Sequence, residues 1–214
     1  MIEDSFMHQG LRRKLVEQVK SKGIHDQRII EAMLKIPRHA FMDSTFLKFA
    51  YQDQAFPISS GQTISQPYTV AFQTELLELQ GYQKVLEVGT GSGYQAAILA
   101  EMGVRVFTIE RIRKLYQQAQ VIHRELGYQI KFFLGDGYQG LPAFAPFDRI
   151  LITAAAPAIP EVLKQQLVVG GILVAPIGPH DHQVMTKCVR TGADTYTLST
   201  HGNFSFVPMK DGLE

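Results

Sequence analysis

One cysteine, no tryptophan and a net charge of +1 are the conspicuous shortages in this 214-residue chain. A lone Cys188 forms no internal disulfide and has no Cys or His at metal-ligand spacing, which excludes a disulfide scaffold and points to a reducing compartment. It stands in the alternating run Val184-Met185-Thr186-Lys187-Cys188-Val189, which reads as a strand. With 21 Lys+Arg against 20 Asp+Glu, no long-range field pulls the molecule onto nucleic acid or an anionic membrane. No uninterrupted apolar stretch reaches the ~18 residues of a membrane span. Met1-Ile2-Glu3-Asp4-Ser5 also lacks the basic region and apolar core of a signal peptide. The expectation is a cytoplasmic monomer with neither a nucleic-acid nor a membrane partner.

What is present is a globular balance, 45% hydrophobic and 19% charged, enough for one compact domain. Residues 1–67 read as N-terminal helices and a loop, and 68–214 as an α/β core. Met7, Leu11, Leu15 and Val19 recur at four-residue steps, with Arg12-Arg13-Lys14 expected on a solvated face. Gly23 can end that helix, and Asp26 can cap a second one carrying Ile29, Ile30, Met33 and Leu34, stopped by Pro37. Residues 51–67 lack periodicity and are rich in Gln, Ser, Gly and Pro, so a long loop is predicted; loops of this length are often functional. A helix with Val70, Phe72, Leu76, Leu77 and Leu79 as apolar positions should follow.

From Lys84 onward, strand and helix patterns alternate. Strands are predicted at 85–88, 104–109, 130–134 and 147–153, with helices at 94–102, 115–126 and about 160–167. The remainder, at 171–177, 183–189 and 196–207, reads as strand. The fold implied is Rossmann-like: a mostly parallel, doubly wound sheet with an antiparallel C-terminal edge and an N-terminal helical appendage.

Val85-Leu86-Glu87-Val88 runs straight into Gly89-Thr90-Gly91-Ser92-Gly93, with a helix from Tyr94. Ligands of open α/β sheets bind beyond the carboxyl ends of strands, and glycines there let backbone approach a ligand closely. A dinucleotide fingerprint needs glycine at the sixth position, where Tyr94 stands. The G-x-G-x-G spacing with Glu87 two residues ahead instead resembles methyltransferases that bind S-adenosyl-L-methionine. Glu110 ends the next strand about 20 residues on, where a carboxylate can accept from both ribose hydroxyls. Asp136, between Gly135 and Gly137, ends the third and could take the adenine amino group. Taken singly, each has a blander reading: a tight connection, a solvated helix-start acid and a turn residue.

With these pieces placed, the chain closely resembles protein-L-isoaspartate O-methyltransferases of bacterial type, from about Gly23 to Pro208. The most specific stretch is Gly61-Gln62-Thr63-Ile64-Ser65-Gln66-Pro67-Tyr68, supported by Pro37-Arg38, Tyr51-x-Asp53, Glu110-Arg111, Gly135-Asp136-Gly137, Thr153-Ala154-Ala155 and Phe206-Val207-Pro208. The resemblance implies methylation of the free α-carboxylate of isoaspartyl residues in aged proteins, with Ser65 at the active site. It assigns cofactor contacts to Gln62, Thr63, Ile64, Ser65, Ser92, Glu110, Arg111, Asp136 and Gly137. Together with the motif residues Glu87, Gly89, Thr90, Gly91 and Gly93, these form the candidate cofactor site. Ser59 departs from the family, which usually has glycine there, and a positive φ at 59 would carry a steric cost. Tyr138 stands where relatives often have tryptophan.

A substrate carboxylate with pKa near ~3.5–4 is already ionised at neutral pH, so no general base is needed. Ser65 would then position the acceptor as a hydrogen-bond donor; its alternative role is to support the turn before Pro67. None of the seven histidines suggests a metal, and His180-x-His182 reads as a solvated turn. Two other readings compete. A class I methyltransferase for RNA or a small molecule would share the cofactor site; a basic stripe or an Asn/Asp-Pro-Pro-Tyr/Phe motif would support nucleobase chemistry, and neither is found, Ala155-Ala156-Pro157 standing at that strand end. A non-catalytic relic should not bind the cofactor at all.

Overall fold

The computed structural model describes residues 3–179 and 182–214, so part of the His180-x-His182 reading lies outside the described residues. Helices α1 (Phe6–Ser21) and α2 (Gln27–Lys35) open the chain. Asp26 caps α2 by accepting from the Arg28 N–H, and Gly23 takes φ +99° just past α1, both as the sequence suggests. The predicted face of α1 holds only in its second half. Leu15 and Val19 are buried, whereas Met7 and Leu11 are exposed and Arg12 is buried in their place.

Arg12 is therefore not on a solvated face. Its Nε donates to the Leu34 carbonyl at 2.6 Å, and its Nη atoms clasp both oxygens of Asp4 at 3.0 and 2.8 Å. These partners, with the Tyr51 hydroxyl at 3.2 Å, offset the cost of burying the charge. Asp4, His8 and His39 bring ligand-type atoms within 4.8 Å of one another. Those of Asp4 are committed to the guanidinium, and His39 Nδ1 lies 2.7 Å from the Tyr51 hydroxyl.

The long loop is ordered by a small antiparallel ribbon, β1 (Phe56–Pro57) with β2 (Thr63–Ile64), before α3 (Pro67–Leu76). α3 buries polar as well as apolar residues. Gln73 donates to Gln95 at 2.7 Å, and Gln95 donates to Thr74 at 2.9 Å, tying α3 to the next helix. A pattern search for apolar positions passes over such a buried polar network.

The core follows as β3 (Lys84–Val88), α4 (Tyr94–Glu101), β4 (Arg105–Glu110), α5 (Arg113–Leu126), β5 (Lys131–Leu134) and β6 (Phe147–Ile152). Then come α6 (Glu161–Gln165), β7 (Leu167–Ile177), β8 (Gln183–Arg190) and β9 (Tyr196–Phe204). β7 begins earlier than predicted because Leu167 already pairs with Phe147, across a register shift before Arg149. Strand order is β5-β4-β3-β6-β7-β8-β9; the first five strands are parallel, and β8 pairs antiparallel with both β7 and β9. The order reverses between β3 and β6, so the turn leaving β3 opens at the crevice where such sheets bind ligands. Buried aliphatic side chains on the sheet, among them Leu86, Ile150 and Val174, hold this platform rigid.

Candidate active site

Two glycines fix the turn after β3. Gly89 takes φ +99°, and a Cβ there would stand 2.6 Å from Thr153 Oγ1, whose hydroxyl donates to the Gly89 carbonyl. Gly93 takes φ +90°, and its Cβ would meet His123 Nε2 at 2.7 Å. From α5, His123 Nε2 lies 2.9 Å from the Gly93 carbonyl, an acceptor that assigns the proton to Nε2. Burial pushes this imidazole down to about 4, so it is neutral at pH 7.

Glu110, at the end of β4, is 5% exposed and so is no solvated helix-start acid. Its Oε2 accepts from the Gly91 N–H at 2.8 Å and its Oε1 from the Ile112 N–H at 2.9 Å. An ionised carboxylate offers about four acceptor sites, so bracing the turn leaves capacity for two hydroxyls.

Beside the turn lies a cavity walled by Val88, Ile109 and Ile112 and bordered by residues 62–65, 89–92, Glu110, Arg111 and Gly137. Most of the residues singled out from sequence thus surround one space. Glu87, Gly93 and Asp136 do not border it. Glu87 is fully buried beneath the turn, and Gly93 caps α4. Asp136 accepts from the Tyr138 N–H at 2.8 Å and the Gly212 N–H at 3.1 Å.

The C-terminal segment closes this cavity, which sequence reasoning missed. Ala155 N–H donates to the Val207 carbonyl at 2.8 Å, and Met209 N–H to the Ala155 carbonyl at 2.7 Å, laying residues 207–209 across the end of β6. Arg111 then pairs with Glu214 at 2.7 Å. The matching piece Phe206-Val207-Pro208 was the one signal of this, and nothing local said where it would pack.

A second cleft opens on the other side of Ser65, bordered by Tyr68, Phe72 and residues 201–206. Thr63, Ser65, Val207 and Pro208 border both spaces, so Ser65 stands where they meet. Its position rests on Arg38, a residue sequence reasoning quoted without a role. Arg38 is 1% exposed and donates from Nε to Ala50 O at 2.9 Å, from Nη1 to Ser65 O at 3.0 Å and from Nη2 to Gln54 O at 3.1 Å. Desolvation lowers its pKa to about 10, which leaves it charged at neutral pH. Asp53 adds a second anchor, accepting from the Tyr68 N–H at 2.8 Å at the start of α3. Ser59 escapes the feared cost: the positive φ falls on Ser60, at 59°, and on Gly61, while the Ser59 hydroxyl donates to Gln118 at 2.9 Å.

The sequence profile of the family described as protein-L-isoaspartate(D-aspartate) O-methyltransferase matches residues 10–214. A protein-L-isoaspartate O-methyltransferase of Cytophaga hutchinsonii is 52% identical over 213 residues, covering 99% of this chain and 96% of its own. One from Dictyoglomus thermophilum is 50% identical over 208 residues, covering 97% and 94%. A solved protein-L-isoaspartate O-methyltransferase superposes with a TM-score of 0.85 at 29% identity, over 94% of this chain and 67% of that one. A Plasmodium falciparum structure named for the same activity, in complex with S-adenosyl-L-homocysteine, gives a TM-score of 0.81 at 25% identity, over 93% and 98%.

Proposed function

The chain belongs to the protein-L-isoaspartate(D-aspartate) O-methyltransferase family, and from that premise we propose that it methylates the free α-carboxylate of L-isoaspartyl residues in damaged proteins and peptides. The observation that carries this reading is the meeting of two spaces at Ser65, one at the glycine turn and one open to a peptide.

The turn-side cavity fits S-adenosyl-L-methionine. The backbone of the turn is bare toward the cavity at Gly91, where a Cβ would have only Ile58 Cδ1 within 4.0 Å, so a ligand can come close to it. Glu110 would accept from the ribose hydroxyls, Gly137 would border the adenine on a loop that Asp136 braces through the Tyr138 and Gly212 N–H groups, and residues 89–92 with Gln62, Thr63 and Ile64 would hold the rest. Arg111 contributes to the same wall. When bound, the cofactor supplies a methyl group already activated by its sulfonium.

The chain's task is then orientation. The acceptor carboxylate is ionised at neutral pH without help from a base. Ser65 donates a hydrogen bond to it, from a backbone that Arg38 fixes, so that donor and acceptor meet in line. Orientation of this kind can supply about 7–11 kcal/mol of barrier lowering. The product ester collapses to a succinimide, which reopens partly to normal aspartate.

In this reading residues 1–67 are N-terminal helices and the active-site loop, which reaches both spaces, and 68–214 are the methyltransferase core, which also borders the acceptor cleft at Tyr68, Phe72 and residues 201–206. The enzyme works as a cytoplasmic monomer, without nucleic acid or membrane. The near-zero net charge gives no general attraction to nucleic acid or an anionic surface; among the described residues no helix is long and apolar enough to cross a membrane. Transfer of label from S-adenosyl-L-methionine to paired peptides, identical except for isoAsp or Asp, tests the assignment. Labelling of the isoAsp peptide alone is expected; equal labelling of both, or of neither, sinks it.

A further inference from the structure

Glu87 is a buried acid that the mechanism above does not use. It lies on β3, paired with Thr108 of β4 and Leu151 of β6, and is 0% exposed. Among the described residues, the one charged group acting on it is Glu110, which repels it. Thr108 Oγ1 lies 2.5 Å from Glu87 Oε2, and Thr90 Oγ1 lies 2.5 Å from Thr108 Oγ1. Glu87 Oε1 has no partner among the described residues. The chain of oxygens therefore runs from a buried carboxyl to Thr90, which is in the glycine turn and borders the cofactor cavity.

Each threonine hydroxyl has one proton to donate, so this chain has two directions. With Glu87 ionised, Thr108 donates to the carboxylate and Thr90 donates to Thr108, and both protons are spent inward. With Glu87 protonated on Oε2, Glu87 donates to Thr108 and Thr108 donates to Thr90. The Thr90 proton is then left for an acceptor at the turn. A buried carboxylate with no cation and an acidic neighbour is costly in its charged form, which favours the second arrangement.

We infer that Glu87 is a positioning residue: its carboxyl proton sets the direction of the Thr108–Thr90 relay and makes Thr90 a hydrogen-bond donor to the bound cofactor. This rests on the reading that the turn holds S-adenosyl-L-methionine. Burial raises the Glu87 carboxyl to about 8, so the relay faces outward at neutral pH and reverses as the solution becomes alkaline.

The test is calorimetric binding of S-adenosyl-L-homocysteine to the full chain between pH 6.5 and 9. An acid titrating near 8 whose protonated form alone binds tightly gives about a tenfold rise in Kd from pH 7 to 9. Glu87→Gln should bind normally at pH 7 and lose this rise, because the amide N–H donates permanently to Thr108. Thr90→Val should bind more weakly at pH 7 and also lack it. The ratio of variant to wild-type Kd cancels the ligand's own titration; the same rise in Glu87→Gln as in wild type overturns the proposal. If Glu87→Gln does not fold, infrared spectroscopy of the wild type decides. A protonated-carboxyl band at pH 7 that disappears by pH 9.5 supports the relay, and no such band overturns it. Failure of the wild type to bind at any pH is a different result, and it would overturn the cofactor reading itself.

Discussion

The two halves of the site are built in contrasting ways. The cofactor side is a strand–turn–helix on the central sheet, with its acid at the end of the adjacent strand and the turn's conformation fixed by its own glycines. The acceptor side is a loop from 51 to 67 held by the β1–β2 ribbon, by Asp53 and by one buried arginine, Arg38, that binds carbonyls 12 to 27 residues away. The first half is positioned by the sheet and the second by anchors from distant segments, with Arg38 as the hub. Damage to the two should therefore separate: binding suffers on one side and turnover on the other.

Removing the hub should have the largest effect. Arg38→Met leaves the carbonyls of Ala50, Gln54 and Ser65 without their donor, each at about 1–3 kcal/mol if buried. Misplacing Ser65 by about 1 Å can itself cost about 10²-fold. We expect kcat/KM to fall at least that far in the protein that remains folded, with the loss of stability visible by thermal unfolding. Unchanged turnover would show that the loop holds itself.

Ser65→Ala tests the same half more gently. Loss of one fixed donor should lower kcat about 10²-fold while the Kd for S-adenosyl-L-homocysteine stays within about twofold. A parallel loss of both would mean that Ser65 organises the cofactor side, and the contrast would fail. On the other half, Glu110→Ala removes the brace of the turn and the proposed ribose acceptor together. Cofactor Kd should rise about tenfold, one charge-assisted hydrogen bond at roughly 1.5–3 kcal/mol being enough for that; an unchanged Kd by calorimetry contradicts its role.

A last effect concerns pH. His123 is neutral in the fold, with its pKa lowered from 6.5 to about 4 by burial. Between those values the unfolded chain holds more protons than the folded one, so stability rises with pH through that window and is complete above 6.5. His123→Gln keeps a donor for the Gly93 carbonyl but cannot titrate. The stability of wild type minus variant should fall as pH drops from 6.5 to 4, measured by denaturant unfolding. A flat difference would mean that His123 does not tie α5 to the turn in its neutral form.

The same contrast explains what could be read in advance. The glycine turn, Glu110, the alternation of strands and helices and the antiparallel edge were legible because each is a local pattern repeated at the ends of successive strands. Arg12 was misread, since its burial depends on Asp4, Leu34 and Tyr51, which no spacing on α1 announces. Glu87 was recognised as part of the motif, but its neighbours place it under the turn and not in the cavity. Resemblance pointed to residues 61–68 without saying what holds them.

The sequence by itself determined the donor half of this protein: a parallel sheet, a glycine turn at its switch point and an acid beside it. Those features follow from backbone geometry and hydrophobic period, which act over a few residues. Only the tertiary structure decided that Arg38 carries Ser65, that residues 207–209 close the cavity, and that two spaces meet at Ser65. These depend on hydrogen bonds between segments far apart in the chain, which form only once the core has brought them together.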